Sequence, residues 1–274
     1  MKREEYNPLE ISGILGLSKW TIKDWDKTRL PRIIARINEF KKRSWHRNQF
    51  RLLKEIAYFI GKITGDGNLD NKFTIRFISG KRIDLITLRK IIMNKLRIPK
   101  NKFSSIIKRQ NNGGKSYLLQ INDALLGRLV YGLGAPRGNK TKICFNIPKW
   151  IIKKKIYSKF YLQGLLEDEL TTIKFRKDRK NKFTNIMLKM AKIKRLMPTH
   201  IKFLNNIKFI IERFGINCSS VSTVRTNIYQ NNTESAYFRI LPNKENILKY
   251  RDQIGFRVNQ NKIRNLNICC KYVL

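Results

Sequence analysis

Residues 56 to 69 read Ile-Ala-Tyr-Phe-Ile-Gly-Lys-Ile-Thr-Gly-Asp-Gly-Asn-Leu, and residues 160 to 170 read Phe-Tyr-Leu-Gln-Gly-Leu-Leu-Glu-Asp-Glu-Leu. Each stretch predicts a short apolar helix with glycine on one face and a carboxylate at its C-terminal end. Gly61 and Gly65 lie one above the other, so a partner helix can approach almost to backbone contact. Gly164 takes the place of Gly61 in the second stretch. The pattern therefore predicts two helices packed face to face.

The two predicted helices carry an acid at equivalent places. Asp66 ends the first helix and Glu169 ends the second, so in a face-to-face pair these carboxylates meet at the bottom, where the negative ends of both helix dipoles attract a cation. Two carboxylates so placed predict a site for a hard divalent cation such as magnesium, with manganese as the alternative. Gly65 and Asp168, the residues directly before the two acids, are included in the predicted metal site.

These stretches resemble the nine-residue motif of the LAGLIDADG family of homing endonucleases, which falls on residues 59–67 and 162–170. In the second copy Asp168 stands where a small residue is usual, and Leu170 replaces the terminal glycine. With the repeats described below, the resemblance extends over residues 52–274. It implies a monomer that acts as a pseudo-dimer, in which antiparallel sheets form a saddle that lies in the major groove of DNA.

Charge is the strongest signal in the composition. The 274 residues include 59 Lys and Arg against 19 Asp and Glu, a formal net charge of +40. Self-repulsion of that size is tolerable mainly when a polyanion is the partner, and nucleic acid is the first candidate. An anionic membrane surface is disfavoured, because the charge runs the length of the chain and no apolar run approaches the ~18 residues of a spanning helix. The N-terminal Met-Lys-Arg-Glu-Glu-Tyr lacks the apolar region of a signal peptide, so we expect a cytoplasmic protein.

Other nuclease and metal chemistries find little support in the sequence. The four cysteines show no C-x-x-C spacing, which argues against a zinc site or a disulfide framework. With only His46 and His200 present, a nuclease built on a histidine base and histidine metal ligands is also disfavoured.

Residues 9–27 carry the pattern of a helix-turn-helix, with Gly16 at the turn and Ser18 as the N-cap of the second helix. A recognition helix of this kind faces the major groove with its outward side chains. The alternative is a helical hairpin that serves only as a packing cap. A basic connector follows, so residues 1–50 are predicted to form a small all-α region. The outward side chains are Lys19, Thr21 and Lys23.

Hydrophobic periodicity predicts the same order of elements in both halves: helix, two strands, helix, two strands, helix. The predicted fold is therefore α+β, with two pseudo-symmetric αββαββα repeats at residues 51–148 and 149–274. Strands are expected near residues 73–77 and 172–176, directly after the motifs, and Asp84 is expected to cap the next helix of the first repeat.

A second pair of matched residues follows the last helix of each half. The first half reads Gly-Ala-Pro-Arg-Gly-Asn-Lys, ending at Lys140, and the second reads Gly-Phe-Arg-Val-Asn-Gln-Asn-Lys, ending at Lys262. The shared context argues against coincidence. In the LAGLIDADG family lysines in this context sit beside the active site, and the resemblance therefore implies that role for Lys140 and Lys262.

Cleavage of a phosphodiester needs a water nucleophile and stabilisation of developing charge. Metal held by Asp66 and Glu169 would activate the water, and Lys140 and Lys262 would stabilise the charge. One acid and one lysine from each half give two quasi-equivalent sites, as cutting both strands requires. The sequence thus predicts a site-specific double-stranded DNA endonuclease with a long target. Polar side chains on the strands are the expected DNA contacts: Arg76, Lys174, Arg176, Arg225 and Asn227.

Two other functions remain open at this point. The chain could be a binding protein without cleavage, either an intron RNA maturase or a DNA regulator, and both departures from the motif fall in its second copy. An intein is disfavoured, because the chain begins with Met and ends in Lys-Tyr-Val-Leu, without the terminal residues that splicing uses.

Overall fold

The computed structural model describes residues 39, 41–43, 45, 49–111, 114–175, 183–225 and 232–272. The chain divides into two compact units, Met1–Asn48 and Gln49–Leu274, and every element named below belongs to the second unit. The predicted helix-turn-helix, with Lys19, Thr21 and Lys23, lies outside the described residues. Among the helices that are described, none combines the length and apolar character needed to cross a membrane.

The described residues of the first half form three α-helices and four strands. Helix α1 carries the first motif, and the strands that follow alternate with helices α2 and α3. Asp123 caps α3, because its side chain accepts a hydrogen bond from the backbone N–H of Leu126 at 2.8 Å. The bounds are α1 Gln49–Thr64, β1 Asn68–Leu69, β2 Ile75–Ser79, α2 Arg82–Leu96, β3 Ile107–Asn111, β4 Gly114–Ile121 and α3 Ala124–Gly132.

The described part of the second half differs from this order in two ways: a single strand follows its motif helix where the first half has two, and further helical elements are added. A short helix α4 precedes the motif helix α5, and one π-helical turn, Tyr250–Ile254, follows α7. The bounds are α4 Lys149–Lys153, α5 Lys155–Glu169, β5 Ile186–Ile193, α6 Met197–Glu212, β6 Ser222–Arg225, β7 Thr233–Ile240, α7 Lys244–Lys249 and α8 Gln260–Lys271.

Each half builds one antiparallel sheet. The strand order is β1-β2-β4-β3 in the first sheet and β5-β7-β6 in the second. Alternation sets the faces: Ile75 and Phe77 of β2 are buried, whereas Arg76 between them is half-buried on the other face. The predicted mixed fold with two antiparallel sheets is confirmed.

Three local predictions differ from the structure. The strand expected from residue 73 begins at Ile75, because Phe73 has a φ of 62°, which is incompatible with a strand. Helix α2 begins earlier than expected, after Lys81, so Asp84 lies inside its first turn and is not the N-cap. In the second half the described residues 171–175 form only an isolated bridge, Phe175 to Phe183, where a strand was expected. Helix α8 was not predicted at all.

The motif helices form the centre of the core. Helices α1 and α5 pack along their length, and their interface residues are buried. Each sheet follows the C-terminal end of one of these helices in the chain, and the two halves meet along the helix pair. The largest buried side chains of the pair are Tyr58, Phe59 and Tyr161.

Candidate active site

The two motif helices approach each other to backbone contact through a reciprocal pair of glycines. A Cβ added to Gly61 would lie 2.1 Å from the carbonyl oxygen of Tyr161, and one added to Gly164 would lie 2.1 Å from the carbonyl oxygen of Tyr58. Each glycine therefore faces the equivalent carbonyl oxygen of the other motif helix. Any larger residue at either glycine would force the helices apart, so the glycines fix the distance between the two helix ends.

Below these glycines the interface is asymmetric. Lys62 of α1 donates a hydrogen bond and forms an ion pair with one oxygen of Asp168, and the other oxygen of Asp168 accepts the backbone N–H of Asp66 at 3.2 Å. Gly65 faces this carboxylate: a Cβ added there would lie 2.9 Å from the Asp168 side chain. The glycine of the first motif therefore makes room for the acid of the second.

The charge states in this interface follow from burial and from each other. Burial by itself lowers the pKa of Lys62, but the carboxylates of Asp168 and Glu167 outweigh it, and the pKa is raised. Burial raises the pKa of Asp168 to about 6, against the opposing effect of the Lys62 ammonium. Both oxygens of Asp168 already accept hydrogen bonds, so the geometry gives it a holding role toward Asp66. Gly65 contributes space, and the metal-binding role predicted for Gly65 and Asp168 stays a prediction.

Lysines cap the C-terminal ends of both motif helices. Lys140 Nζ donates to the carbonyl oxygens of Ile63, Thr64 and Gly67, at 3.0, 3.3 and 2.8 Å. Lys262 Nζ donates to those of Leu166 at 3.5 Å, Glu167 at 2.7 Å, Asp168 at 3.4 Å and Leu170. Three of the carbonyls in the second set are the motif equivalents of the three in the first.

This matched capping brings the sequence-predicted lysines to equivalent places. Carbonyls at a helix C-terminus have no partner within the helix and carry partial negative charge, so an ammonium is stabilised there. Burial lowers the pKa of Lys140 and of Lys262, and the nearby carboxylates oppose that shift. Lys262 is thus a buried cation and Lys140 a half-buried one, and backbone oxygens hold both beside the acids.

The two sequence-predicted acids lie next to these lysines. Asp66 is exposed, and Glu169 is half-buried. Burial raises the pKa of Glu169, and the charges of Asp66 and Asp168 raise it further, whereas the ammonium of Lys140 lowers it. Mutually repelling carboxylates of this kind are relieved by a cation.

The two carboxylates suit a metal ion whose remaining ligands are water or phosphate oxygens. Among the residues that the structure describes, no three His, Cys, Asp or Glu side chains converge as a complete metal cage. Magnesium commonly binds through one or two carboxylates and keeps several waters or substrate phosphate oxygens. Asp66 and Glu169 fit that mode, because Asp66 is exposed and Glu169 is only half-buried.

Glu167 ties the second lysine to the helix pair. Its buried carboxylate accepts the Tyr58 hydroxyl at 2.7 Å and the backbone N–H groups of Arg257 and Val258. These N–H groups precede α8, whose first turn carries Lys262. Glu167 therefore sets the position of that turn relative to both motif helices.

Clefts lie on two sides of Asp66. One, of about 190 Å³, is lined by Lys62, Asp66, Asp168 and Lys262 together with Ser79 and Asp84. The other, of about 490 Å³, is lined by Asp66, Asn68, Asp70 and Lys140. Each cleft thus contains Asp66 and one of the two capping lysines.

The predicted DNA contacts are only partly described. Arg76 is half-buried on the outer face of the first sheet, ion-paired to Asp70 at 2.9 Å and hydrogen-bonded to Gln120 at 3.0 Å, and Lys174 is exposed. Arg225 ends β6, but its side chain lies outside the described set, as do Arg176 and Asn227 entirely.

Several residues of the site escaped the sequence reasoning. Lys62 and Glu167 were visible only as polar interruptions inside apolar motif helices, a signal that marks buried polar groups with a partner. On the outer face of the second sheet, Lys189 pairs across the strands with Tyr237, and Arg239 lies 5.4 Å from the Tyr237 ring. The alternation of β5 and β7 could have identified these exposed side chains.

Comparison with curated proteins finds partial matches to much longer chains. The DNA-directed RNA polymerase subunit Rpo1N of Methanocaldococcus jannaschii is 29% identical over 173 residues, which are 59% of this chain and 13% of that protein. The tRNA-splicing ligases RtcB of Methanopyrus kandleri and Pyrococcus furiosus are 23% and 29% identical, over 76% and 54% of this chain. The chain spans only 13% to 21% of the length of these three relatives.

No protein-family model matches the chain. Among solved structures, the homing endonuclease I-DmoI in complex with DNA and Ca covers 78% of this chain and 97% of its own, at 12% identity and a TM-score of 0.46. I-DmoI in complex with DNA and Mn covers 74% of this chain and 97% of its own, at 14% identity and a TM-score of 0.43.

Proposed function

We propose that this protein is a LAGLIDADG homing endonuclease, which hydrolyses phosphodiester bonds at a specific site in double-stranded DNA with a divalent metal ion. One observation carries the proposal: each motif helix ends at equivalent carbonyls capped by a lysine, Lys140 or Lys262, with Asp66 or Glu169 beside it. A lysine that only caps a helix would not need a carboxylate beside it, because the negative end of the helix repels that carboxylate. Because both half-sites lie in one chain, the protein would act as a monomer.

Asp66 and Glu169 would hold the metal, which we propose to be magnesium or manganese. A divalent cation bound there would lower the pKa of a coordinated water and stabilise the leaving oxygen. Gly65 and Asp168 would belong to the metal site, and Asp168, paired with Lys62, would also position Asp66 through its backbone N–H. Lys140 and Lys262 would stabilise negative charge that develops on the phosphate, an effect that is largest where water is excluded.

Double-stranded DNA with a long target would bind across the outer faces of the two sheets. The net charge of +40 supports binding to the phosphate backbone, and Arg76, Lys174, Lys189 and Arg239 provide charged side chains on or near these faces. Arg176, Arg225 and Asn227 extend this surface in the proposal. In addition to the two repeats at 51–148 and 149–274, the region 1–50 would act as a helix-turn-helix contact to DNA through Lys19, Thr21 and Lys23. We also propose that the gene for this protein lies within an intron and that the enzyme supports homing of that intron.

The test is cleavage of a randomised duplex library by the purified protein in magnesium, followed by sequencing of the new ends. Asp66→Asn, with the same purification and the same DNA, is the matched control. Paired ends that recur at one sequence, and that vanish in the variant and in chelator, would support the proposal. Cleavage that persists in the variant would refute the assigned site.

The second candidate is a binding protein that does not cut DNA, either an intron RNA maturase or a DNA regulator. One observation favours it: in the second motif Asp168 is committed to Lys62 and Asp66, which makes the two half-sites unequal. Tight, specific nucleic-acid binding that is unchanged in Asp66→Asn, without any metal-dependent ends, would establish this candidate.

A further inference from the structure

Lys192 is a buried cation that the proposed mechanism does not use. It lies on β5 and faces the core together with Ile186 and Leu188, with only 4% of its surface exposed. Within the described part of the chain no carboxylate forms an ion pair with it. Burial lowers the pKa of Lys192 to about 8. A lysine in such a place costs folding free energy unless its hydrogen bonds are fully used.

The hydrogen bonds of the Lys192 ammonium join β5 to the loop that carries Lys140. Its Nζ donates to the carbonyl oxygen of Lys140 itself and to that of Ile143 at 2.8 Å. The same ammonium lies 3.8 Å from the ring centroid of Phe145, a cation–π contact. A second bond joins the strand to the loop, because the N–H of Ile193 donates to the carbonyl of Thr141 at 3.1 Å.

The two capping lysines need different support because their backbones differ. Lys262 lies in the first turn of α8, where Asn259 caps the helix by accepting the Lys262 N–H at 3.0 Å. Lys140 lies outside any helix or strand, and from its own half the loop is held by the Gly138 N–H, which donates to the carbonyl of Leu69 at 2.8 Å. A helix fixes the backbone of its first turn, whereas a loop must be fixed by other elements.

We propose that Lys192 is a positioning residue for Lys140, and that the sheet of the second half thereby controls the half-site of the first. The inference rests on the proposed endonuclease function. Lys192 touches neither of the two acids in the described contacts. Its effect on cleavage would pass through the backbone of Lys140, whose ammonium must stay aligned on the carbonyls of α1.

The experiment measures nicking of each strand separately, on a duplex target labelled at both ends, with Lys192→Met. We expect cleavage of one strand to slow by about tenfold to a hundredfold, the scale of a reacting group displaced by about 1 Å, while the other strand is cut nearly as before. Lys140→Met should impair the same strand, and Lys262→Met the opposite one. The double variant Lys140→Met/Lys192→Met should be no slower than Lys140→Met, because both changes act through one group.

Lys244→Met is the charge control, because it removes one exposed ammonium of the same half far from these contacts in the chain. It should cut both strands at the wild-type ratio. Rates are compared below the melting temperature of the least stable variant, so that the folded fraction is the same. An unchanged strand ratio in Lys192→Met, with both strands slowed equally or neither slowed, would overturn the inference. Failure of the wild-type protein to cut any strand would instead overturn the proposed function.

Discussion

Gly164→Ala tests whether the glycine contact sets the geometry of the site. The added methyl group would lie 2.1 Å from the carbonyl oxygen of Tyr58 and 2.8 Å from the backbone nitrogen of Lys62. Neither atom belongs to a side chain that could rotate away. Relief therefore requires the helices α1 and α5 to separate.

The required separation is about 1.3 Å, the difference between 2.1 Å and an ordinary contact of 3.4 Å. Overpacking of a core costs about 1–3 kcal/mol, and contact with rigid backbone puts this case at the upper end. Alanine recovers up to about 1 kcal/mol through its helix propensity. We expect a net loss of about 2 kcal/mol in the free energy of unfolding, and a loss of cleavage rate of about a hundredfold from the displaced helix ends.

The assay is urea denaturation of Gly164→Ala beside Gly132→Ala, followed by cleavage rates. Gly132 lies near the end of α3, with nothing within 4 Å of an added Cβ, so its alanine variant should be neutral or more stable by about 0.4–1 kcal/mol. The reasoning is refuted if Gly164→Ala unfolds at the wild-type urea concentration, or if both variants lose stability equally.

Three further results are expected. Asp66→Asn and Glu169→Gln should each abolish double-strand cleavage and leave DNA affinity nearly unchanged in a binding titration; wild-type cutting by either would remove that acid from the site. Lys62→Met leaves the buried Asp168 without its cation and should destabilise the fold by about 3–5 kcal/mol in urea denaturation, whereas a loss below about 1 kcal/mol would show that the pair is not buried in solution. Burial lowers the pKa of His200 to about 4, so protonation favours the unfolded chain: its contribution to stability is complete above a pH of about 6.5 and is lost as the pH falls toward 4. As the pH falls over that range, the melting temperature of the wild type should fall relative to that of His200→Gln. A difference between the two melting temperatures that does not change with pH would contradict the burial of His200.

The mixed fold could be predicted from the sequence because its signals are local. Hydrophobic periodicity predicted the order of helices and strands in the first half, and the apolar motif stretches predicted α1 and α5. The error at Phe73 came from the turn that precedes β2. Phe73 was assigned to the strand by alternation, whereas the Asp70 carboxylate accepts the N–H groups of Lys72 and Thr74, both at 2.9 Å, and the Phe73 N–H donates to the Asp70 carbonyl at 3.0 Å. Alternation of apolar side chains does not register such a turn, because it reflects only which side chains face the core.

For the site, the sequence by itself determined the two glycine-bearing helices, one acid at the end of each, and two lysines in matched contexts. These features occur twice in the chain, and an internal repeat can be recognised from the sequence alone. Only the tertiary structure decided which groups hold each other: Asp168 with Lys62, Glu167 with the turn before α8, and Lys192 with the backbone of Lys140. Each of these contacts joins residues about 50 to 110 positions apart, and those of Glu167 and Lys192 end on backbone atoms whose placement follows from packing, which is why side-chain identity alone could not reveal them.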